Sequence, residues 1–313
     1  MIIKGAPIYE HAISEISTYA KNLDTPPCLV VITNDDPGAV SYTKALRKDC
    51  DIAGITLKEI DIRILDRDPD VVHDIEYQSN IRVDAIMVQT PIPEDLSVKL
   101  IRAVERRYGS KLIDYWHPET PIYQLDDWVR PATPRAIMAM IRYVECDIIN
   151  RNNSMLTNLV ISIVNRSNAL GRYLIELALD ANMLPKVMHS QIRPDIIRGE
   201  MATSDVVISA TGHPNYSGLD EPLIPNVFPV LYIDLGTGKD EVTGHIGDFS
   251  QKFYESVETR DNFYLVPSVG GIGPVTRVIL LASTLASYQH TRMNLREARH
   301  IEEFMRNIGT YHL

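Results

Sequence analysis

Short apolar runs alternate with segments of helical periodicity along the first half of the chain. The apolar and β-branched runs, together with one stretch of alternating polarity, predict strands at 29–33, 55–61 and 84–88. The spacing of apolar residues between and after them predicts helices at 42–53, 95–107 and 135–146, the last with Thr133 as its N-cap. This alternation of strand and helix indicates parallel βαβ units.

A second alternating series follows the polar segment Asn150–Ser154, which we interpret as a domain boundary. It predicts strands at 158–164, 186–189, 205–210 and 230–234, and a helix at 169–181. Two further helices are predicted, from Pro274 to about residue 288 and at 294–307. We therefore expect a two-lobed α/β fold, with an N-terminal αβα domain (1–148 and 275–313) and a Rossmann-type domain (149–274). The last helices are expected to return to the first lobe.

The composition of the chain limits the binding partners and the cellular compartment that we expect. The chain has 313 residues and a net charge of −10, which argues against a nucleic-acid or anionic-membrane surface. No apolar run reaches the ~18 residues that would span a bilayer, and the first residues lack a signal-peptide core. Three cysteines without C-x-x-C spacing suggest a reducing, cytoplasmic setting. The histidines are scattered, so no metal is expected.

The turn after residues 158–164 resembles a dinucleotide-binding turn in its position between a strand and a helix. In such a turn, backbone N–H groups at the helix N-terminus face the pyrophosphate. Gly171 holds the place of the third glycine of G-x-G-x-x-G, while Asn165 and Ser167 hold the other two. Asparagine tolerates positive φ, so the turn can form. A plain βα turn without a ligand is the alternative.

The ends of the later strands supply further candidates for cofactor contact. The strand at 186–189 ends without the acidic residue that usually binds the ribose 2′-hydroxyl of NAD. Arg166, Ser190 and Arg193 can instead receive a 2′-phosphate, which favours NADP and leaves NAD as the second choice; surface arginines are the alternative interpretation. Ligands bind at the carboxyl ends of parallel strands. The candidates at two such ends are Thr211, Gly212, Asp234 and Gly236.

Several segments, in order along the chain, resemble the motifs of one family. They are Asp36-Pro37 with Tyr42, Val88–Pro93 (VQTPIP), Lys111–Asp114 (KLID), Pro131–Pro134 (PATP), Asn165–Gly171, and Val266–Thr276 (VPSVGGIGPVT). The last is the most specific. On these segments the chain resembles the methylenetetrahydrofolate dehydrogenase/cyclohydrolase family.

The resemblance implies a two-lobed α/β enzyme with its active site in a cleft, an NAD(P) cofactor, a reduced folate substrate and a homodimer. The tyrosine, lysine, glutamine and aspartate of the family's folate site fall by register on Tyr42, Leu46, Gln89 and Asp114. The glycine-rich segment adds substrate-binding candidates, Pro267, Gly270 and Gly271, and cofactor-binding candidates, Gly273 and Thr276.

The departure at Leu46 changes the expected chemistry. The family oxidises methylene-tetrahydrofolate by hydride transfer, which needs alignment of two ligands, and then hydrolyses the methenyl product, which needs proton transfer. Leucine cannot move a proton. On a helix, Lys44 and Lys48 point away from the face that carries Tyr42 and Leu46. We therefore expect a dehydrogenase whose cyclohydrolase activity is weak or lost.

Three alternatives remain beside this expectation. A rerouted proton relay would make the enzyme fully bifunctional. A paralogue that binds folate or nucleotide without turnover is the second. An unrelated NAD(P) dehydrogenase that shares only the Rossmann lobe is disfavoured, because motifs in the first lobe also match.

Overall fold

A computed structural model describes residues 1–63, 82–92, 94–115, 125–149, 156–214, 216, 221–223, 229–239, 241 and 244–309. Its strands are β1 (Cys28–Thr33), β2 (Thr56–Asp61), β3 (Ala85–Val88), β4 (Val160–Val164), β5 (Leu184–Met188), β6 (Val206–Ser209), β7 (Val230–Asp234) and β8 (Phe263–Val266). Its α-helices are α1 (Ala6–Lys21), α2 (Pro37–Ala53), α3 (Glu94–Tyr108), α4 (Ala132–Tyr143), α5 (Tyr173–Asp180), α6 (Pro194–Ala202), α7 (Gln251–Glu258), α8 (Ile272–Thr291) and α9 (Leu295–Asn307). Short π-helical turns extend α4 over Val144–Ile148 and precede α5 over Asn168–Arg172.

The first compact unit, here called the three-stranded unit, comprises Glu10–Ala132 and Arg277–Arg306. Its sheet has the order β2-β1-β3 and is parallel throughout. The central strand β1 is almost entirely buried, as expected for an apolar strand covered on both faces. Residues 277–306 group with the first lobe, which confirms the predicted return of the C-terminal helices.

Local signals in the sequence fix both ends of α2. The Asp36 side chain accepts a hydrogen bond from the backbone N–H of Ala39 at 3.0 Å, and Pro37 occupies the first turn. At the other end Gly54 adopts a left-handed conformation, with φ of 75°, and donates its N–H to the carbonyl of Cys50. The helix therefore starts five residues earlier than the predicted 42–53 segment.

The second compact unit, here called the five-stranded unit, comprises Met1–Tyr9, Thr133–Thr276 and the chain from Asn307. Its parallel sheet has the order β5-β4-β6-β7-β8. The order reverses between β4 and β6, so their carboxyl ends form a topological switch point, where α/β sheets bind ligands. Ile2 bridges to Leu265 beside β8.

The predicted α/β class and the doubly wound second sheet are confirmed, with some differences in detail. Helix α4 begins at Ala132, so Thr133 lies inside its first turn and the prediction that it is the N-cap is wrong. The predicted boundary segment 150–154 lies outside the described residues, and the boundaries at 148/149 and 274/275 stay a prediction. The elements α1, α6, α7 and β8 were not predicted.

Candidate functional site

One face of α2 carries Tyr42 and Leu46, which were predicted to border the folate, and next to them Asp49. Tyr42, Leu46 and Asp49 follow each other at intervals of four and three residues, which brings them to the same side of the helix. Leu46 has no exposed surface and Asp49 is 4 % exposed. Lys44 and Lys48 are exposed, as the helical geometry predicted. Leu46 therefore belongs to the packed interior.

Tyr42 carries a buried hydroxyl on this face. Its Oη has no hydrogen-bond partner within the described part of the chain. Burial raises the pKa of Tyr42 above its usual value, and the negative charge of Asp114 raises it further, while Arg277 opposes both effects. The phenol is therefore neutral at physiological pH and can still donate and accept a hydrogen bond.

An ion pair that sequence analysis missed lies on the same face. Arg277, the sixth residue of α8, donates from Nε to Oδ2 of Asp49 at 2.5 Å. Both side chains are largely buried, at 17 % and 6 % exposure. The signal was present in the sequence, because Asp49 interrupts the apolar face of α2 and Arg277 directly follows the glycine-rich segment. Only the structure pairs two residues so distant along the chain.

Gln89 follows β3 and is 3 % exposed. Its Nε2 donates to the carbonyl of Ala39 at 2.7 Å, and its Oε1 accepts from Oγ1 of Thr43 at 3.1 Å. These two bonds fix the amide against the first turns of α2. The glutamine thus orients the helix that carries Tyr42.

Asp114 adopts a left-handed backbone conformation, with φ of 57°. Residues other than glycine rarely take this conformation, although aspartate does so more readily than most. Its Oδ1 accepts a hydrogen bond from the backbone N–H of Ala132 at 2.6 Å, which satisfies one of the free donors at the start of α4. The side chain is thereby held in a defined orientation near Tyr42.

A side chain of the predicted dinucleotide turn links the ends of β4 and β6, the two strands at the switch point, by a hydrogen bond. Asn165 follows β4, and its Nδ2 donates to the carbonyl of Ala210, just after β6, at 2.6 Å. Its Oδ1 accepts from the backbone N–H of Ser167 at 2.7 Å. Ser167 has φ of −64°, so the turn needs no left-handed residue at that place. The asparagine side chain therefore shapes the turn by its own hydrogen bonds.

Gly171 is required by close packing in this turn. A Cβ at Gly171 would lie 2.3 Å from the backbone oxygen of Asn165. This close approach of helix to strand is the role of the third glycine in a dinucleotide fingerprint. The cradle is thus compatible with a pyrophosphate at the start of the helix.

The three residues predicted to receive a 2′-phosphate lie in solvent. Arg166, Ser190 and Arg193 are all exposed. The Arg193 guanidinium pairs with Asp195 at 3.0 Å, with both side chains more than half exposed, so the pair is weak and can open.

Asp248 organises the turn that contains Thr211 and Gly212, and sequence analysis did not identify it. Its Oδ2 accepts from Oγ of Ser209 at 2.7 Å and from the backbone N–H of Thr211 at 2.6 Å. Its Oδ1 accepts from the N–H of Gly212 at 3.1 Å. Gly212 has φ of 73° with open space where a Cβ would stand, so its glycine is needed for the backbone conformation.

Asp234, at the end of β7, is 1 % exposed and uses both carboxylate oxygens within the protein. Oδ1 accepts from the N–H groups of Gly236 and Asp248, at 2.8 and 2.9 Å. Oδ2 accepts from the N–H of Phe249 at 3.2 Å and from Oη of Tyr254 at 3.0 Å. Burial raises the pKa of Asp234, and the three N–H donors oppose that rise. The predicted contact of Asp234 with the cofactor stays a prediction.

The glycine-rich segment between β8 and α8 is tightly packed. A Cβ at Gly271 would lie 2.1 Å from the carbonyl oxygen of Pro267, and Gly270 has φ of 79°. Gly273 lies in the first turn of α8, and Thr276 donates its hydroxyl to the carbonyl of Ile272 at 3.2 Å. These bonds and contacts explain the glycines by packing, and the predicted ligand contacts of this segment stay a prediction.

Two family models cover most of the chain. Residues 3–107 match the catalytic domain of tetrahydrofolate dehydrogenase/cyclohydrolase, and residues 131–292 match the NAD(P)-binding domain of the same enzymes. The chain belongs to the tetrahydrofolate dehydrogenase/cyclohydrolase family. The predicted family is thereby confirmed, and the chain is an oxidoreductase of this family with NAD(P) as its cofactor.

The individual relatives have low sequence identity to this chain but align with nearly its full length. The bifunctional protein FolD of Bacillus pumilus is 26% identical over 286 residues, covering 90% of this chain and 94% of the relative. The FolD structure from Campylobacter jejuni is 25% identical with a TM-score of 0.70, covering 93% of this chain and 99% of that one. The Trypanosoma brucei FolD structure, solved with NADP and an inhibitor, has a TM-score of 0.74 at 21% identity, covering 93% and 98%, and supports the fold.

No helix among the described residues is long and apolar enough to cross a membrane. Within the same residues, no group of three or more His, Cys, Asp and Glu side chains could hold a metal ion.

Proposed function

We propose that this enzyme oxidises 5,10-methylene-tetrahydrofolate to 5,10-methenyl-tetrahydrofolate with NADP⁺, and that its cyclohydrolase activity is weak or lost. The observation that carries the proposal is the burial of Leu46 at the register position of the family's lysine, with no exposed surface. Lys44 and Lys48, the nearest lysines on α2, are exposed. Neither lysine is therefore placed to take over proton transfer beside Tyr42.

Arg277, which pairs with Asp49 on this face of α2, bears on the alternative of a bifunctional enzyme. A guanidinium keeps its proton at any physiological pH, so it cannot serve as a general base. Asp49 also neutralises part of its charge through their ion pair. Arg277 therefore does not replace a lysine that must give and take a proton. A water-mediated relay is what the bifunctional alternative would need.

The remaining folate-site residues support substrate binding and orientation. The buried Tyr42 hydroxyl has an unused donor and acceptor toward a ligand. Gln89 is held by α2, so it would present a fixed amide edge. The Asp114 carboxylate, which Ala132 holds in place, would accept N–H bonds from the aminopyrimidine edge of the pterin.

The five-stranded unit supplies the cofactor-binding residues. The Asn165–Gly171 turn, with its close helix–strand approach, fits a pyrophosphate, and the Thr211–Gly212 and Asp234–Gly236 turns lie at the carboxyl ends of the neighbouring strands. When bound, NADP⁺ accepts the hydride from the one-carbon bridge of the folate. Arg166 is exposed and Arg193 has only a weak, exposed pair with Asp195, so both could meet a 2′-phosphate from solvent. No acid lies among residues 189–193 to bind a ribose hydroxyl.

The proposal also covers the oligomeric state, the cellular compartment and the domain boundaries of the enzyme. From the family resemblance we infer a homodimer, and from the cysteine content a cytoplasmic enzyme. We assign folate binding to residues 1–148 and 275–313 and cofactor binding to residues 149–274. Sedimentation equilibrium of the purified chain tests the dimer.

The deciding experiment is an assay of the purified protein with methylene-tetrahydrofolate and either NADP⁺ or NAD⁺. Accumulation of methenyl-tetrahydrofolate, with NADP⁺ preferred, is the expected result. Methenyl-tetrahydrofolate supplied alone should decay no faster than in buffer. Faster decay would establish a bifunctional enzyme, and tight binding of folate or nucleotide without any turnover would establish a non-catalytic paralogue.

A further inference from the structure

Two loops of the five-stranded unit are joined by a chain of hydrogen bonds. The Thr211–Gly212 turn donates two backbone N–H groups to the carboxylate of Asp248. The backbone N–H of Asp248 in turn donates to Asp234 at 2.9 Å. Both aspartates are 1 % exposed, so their carboxylates are satisfied by donors within the protein.

Tyr254, on helix α7, extends this chain to the second loop. Its hydroxyl donates to Oδ2 of Asp234 and accepts from the backbone N–H of Ser268, both at 3.0 Å. The Oγ of Ser268 donates to the carbonyl of Ile246 at 2.5 Å, which holds the same loop from the other side. The His245 ring packs edge-on to Tyr254 at 4.6 Å between centroids. One phenol hydroxyl thus connects the carboxylate network to residues 267–271.

We propose that Tyr254 is a positioning residue for hydride transfer, which holds the 267–271 loop in register with the Thr211–Gly212 turn. The inference rests on the proposed function, which assigns the first loop to the folate and the second to the cofactor. Hydride transfer needs its donor and acceptor carbons at close approach, so a small shift of one loop against the other slows it. In this proposal the side chains of Asp248 and Asp234 act through the same network.

The test is a Tyr254→Phe variant, compared with Tyr264→Phe as the matched control. Tyr264 lies on β8 of the same unit, and its hydroxyl is not one of the groups in the chain of hydrogen bonds described above. Steady-state kinetics would use methylene-tetrahydrofolate and NADP⁺, with and without deuterium on the one-carbon bridge. Thermal unfolding and amide hydrogen exchange of residues 268–271 would be measured on all three proteins.

For Tyr254→Phe we expect kcat/KM for the folate to fall by about fivefold or more, the effect of losing one buried hydrogen bond. The deuterium isotope effect on kcat should rise, because hydride transfer becomes slower relative to product release. Exchange of the Ser268 amide should accelerate. Tyr264→Phe should leave all three values unchanged.

Two results would overturn the inference. The first is an unchanged kcat/KM and isotope effect in Tyr254→Phe, whatever its melting temperature, which would make Tyr254 a structural residue. The second is unchanged exchange of the Ser268 amide, which would show that the hydroxyl does not hold the loop. If the unmodified enzyme oxidises no methylene-tetrahydrofolate, the proposed function fails separately, and the Ser268 exchange still decides whether Tyr254 holds the loop.

Discussion

Arg277 donates to Asp49 across an ion pair that joins helix α8 to helix α2 within the three-stranded unit. Arg277→Met would leave the Asp49 carboxylate buried without its cation, and we expect a loss of about 3–5 kcal/mol in the free energy of unfolding. The double variant Asp49→Leu/Arg277→Met should recover most of that loss, since apolar side chains of similar volume replace the pair. Urea unfolding of the three proteins measures both effects.

That comparison also tests whether the pair is stabilising at all. A double variant as unstable as Arg277→Met would mean that the apolar replacements do not pack, or that Asp49 and Arg277 serve further contacts. A single variant with unchanged stability would contradict the burial on which the argument depends.

Leu46→Lys should gain hydrolysis of methenyl-tetrahydrofolate and lose stability. The new ammonium would enter a position without solvent exposure, where burying a charge costs several kcal/mol. Proton transfer by a placed side chain is worth about a hundredfold or more, so hydrolysis should rise clearly above the buffer rate. The measurement is the decay of methenyl-tetrahydrofolate absorbance, together with thermal unfolding.

The control for that variant is Leu46→Met, which conserves volume and carries no charge. It should fold normally and hydrolyse no more than the unmodified enzyme. Equal hydrolysis by the Met variant, the Lys variant and the unmodified enzyme, all above buffer, would show that cyclohydrolase activity never depended on this position.

Substitution of two glycines should change stability in opposite directions. Gly271→Ala would place a Cβ 2.1 Å from the backbone oxygen of Pro267, and the forced shift should cost about 1–3 kcal/mol. Gly199→Ala, inside α6 with nothing within 4 Å of the new Cβ, should stabilise by about 0.5–1 kcal/mol. Urea unfolding decides; a Gly271→Ala protein as stable as the unmodified one would refute the packing described for this loop.

Two buried thiols should make the free energy of unfolding depend on pH in the alkaline range. Burial, then the charge of Asp84, raises the pKa of Cys28 to about 11, and burial, then Asp49, raises that of Cys50 to about 12. The folded state holds the two thiol protons more tightly than the unfolded state does. The thiols therefore contribute fully to the free energy of unfolding below the unfolded thiol pKa of about 8.5, and this contribution is lost as pH rises toward the thiol pKa values of the folded state. The free energy of unfolding should fall between about pH 8.5 and pH 10, before unfolded tyrosines begin to titrate.

Replacing both thiols isolates this effect. In the Cys28→Ala/Cys50→Ala variant, stability measured by urea should change less steeply over that pH interval. Cys146→Ala, at a partly exposed thiol, should retain most of the slope. Identical slopes in the unmodified protein and the double variant would rule out the buried thiols as the cause.

Preference for NADP should depend on arginines near the end of β5 and the Asn165 turn. Arg166→Ala should raise KM for NADP⁺ by about tenfold, the loss of one charge-assisted contact to phosphate, and leave KM for NAD⁺ unchanged. Arg198→Ala, at an exposed arginine on α6, is the matched control. A parallel rise in KM for both cofactors would place Arg166 at the shared pyrophosphate and not at a 2′-phosphate.

The sequence predicted the parts of the fold that depend on local pattern. Strands β1, β4 and β7 are continuous apolar runs, and α2 has its cap residues Asp36 and Gly54 at both ends, so each carries its own signal. Helix α1 was missed although its buried residues have helical spacing. Helices α6 and α7 and strand β8 have only nine, eight and four residues, which is too short for a clear period.

The candidate site was less predictable because its key contacts join distant residues. Tyr42, Gln89 and Asp114 could be identified by register, but the hydrogen bonds of Gln89 to α2 and of Asp114 to the start of α4 could not. Asp248 has no local signature, and the position of Arg277 directly after the glycine-rich segment does not reveal its partner, since the importance of both residues comes from partners far away along the chain.

Asp114 supports the start of helix α4 with the same carboxylate that is proposed to hold the pterin. Alanine scanning would consequently give a misleading result there, because Asp114→Ala disturbs a strained turn and frays a helix while it removes the ligand contact. Asn tolerates the same backbone angle and keeps an oxygen for Ala132, so Asp114→Asn preserves the turn and the helix start while it removes the charge and one acceptor oxygen. Inactivity of the alanine variant thus says little about pterin recognition, whereas inactivity of a well-folded asparagine variant would say a great deal.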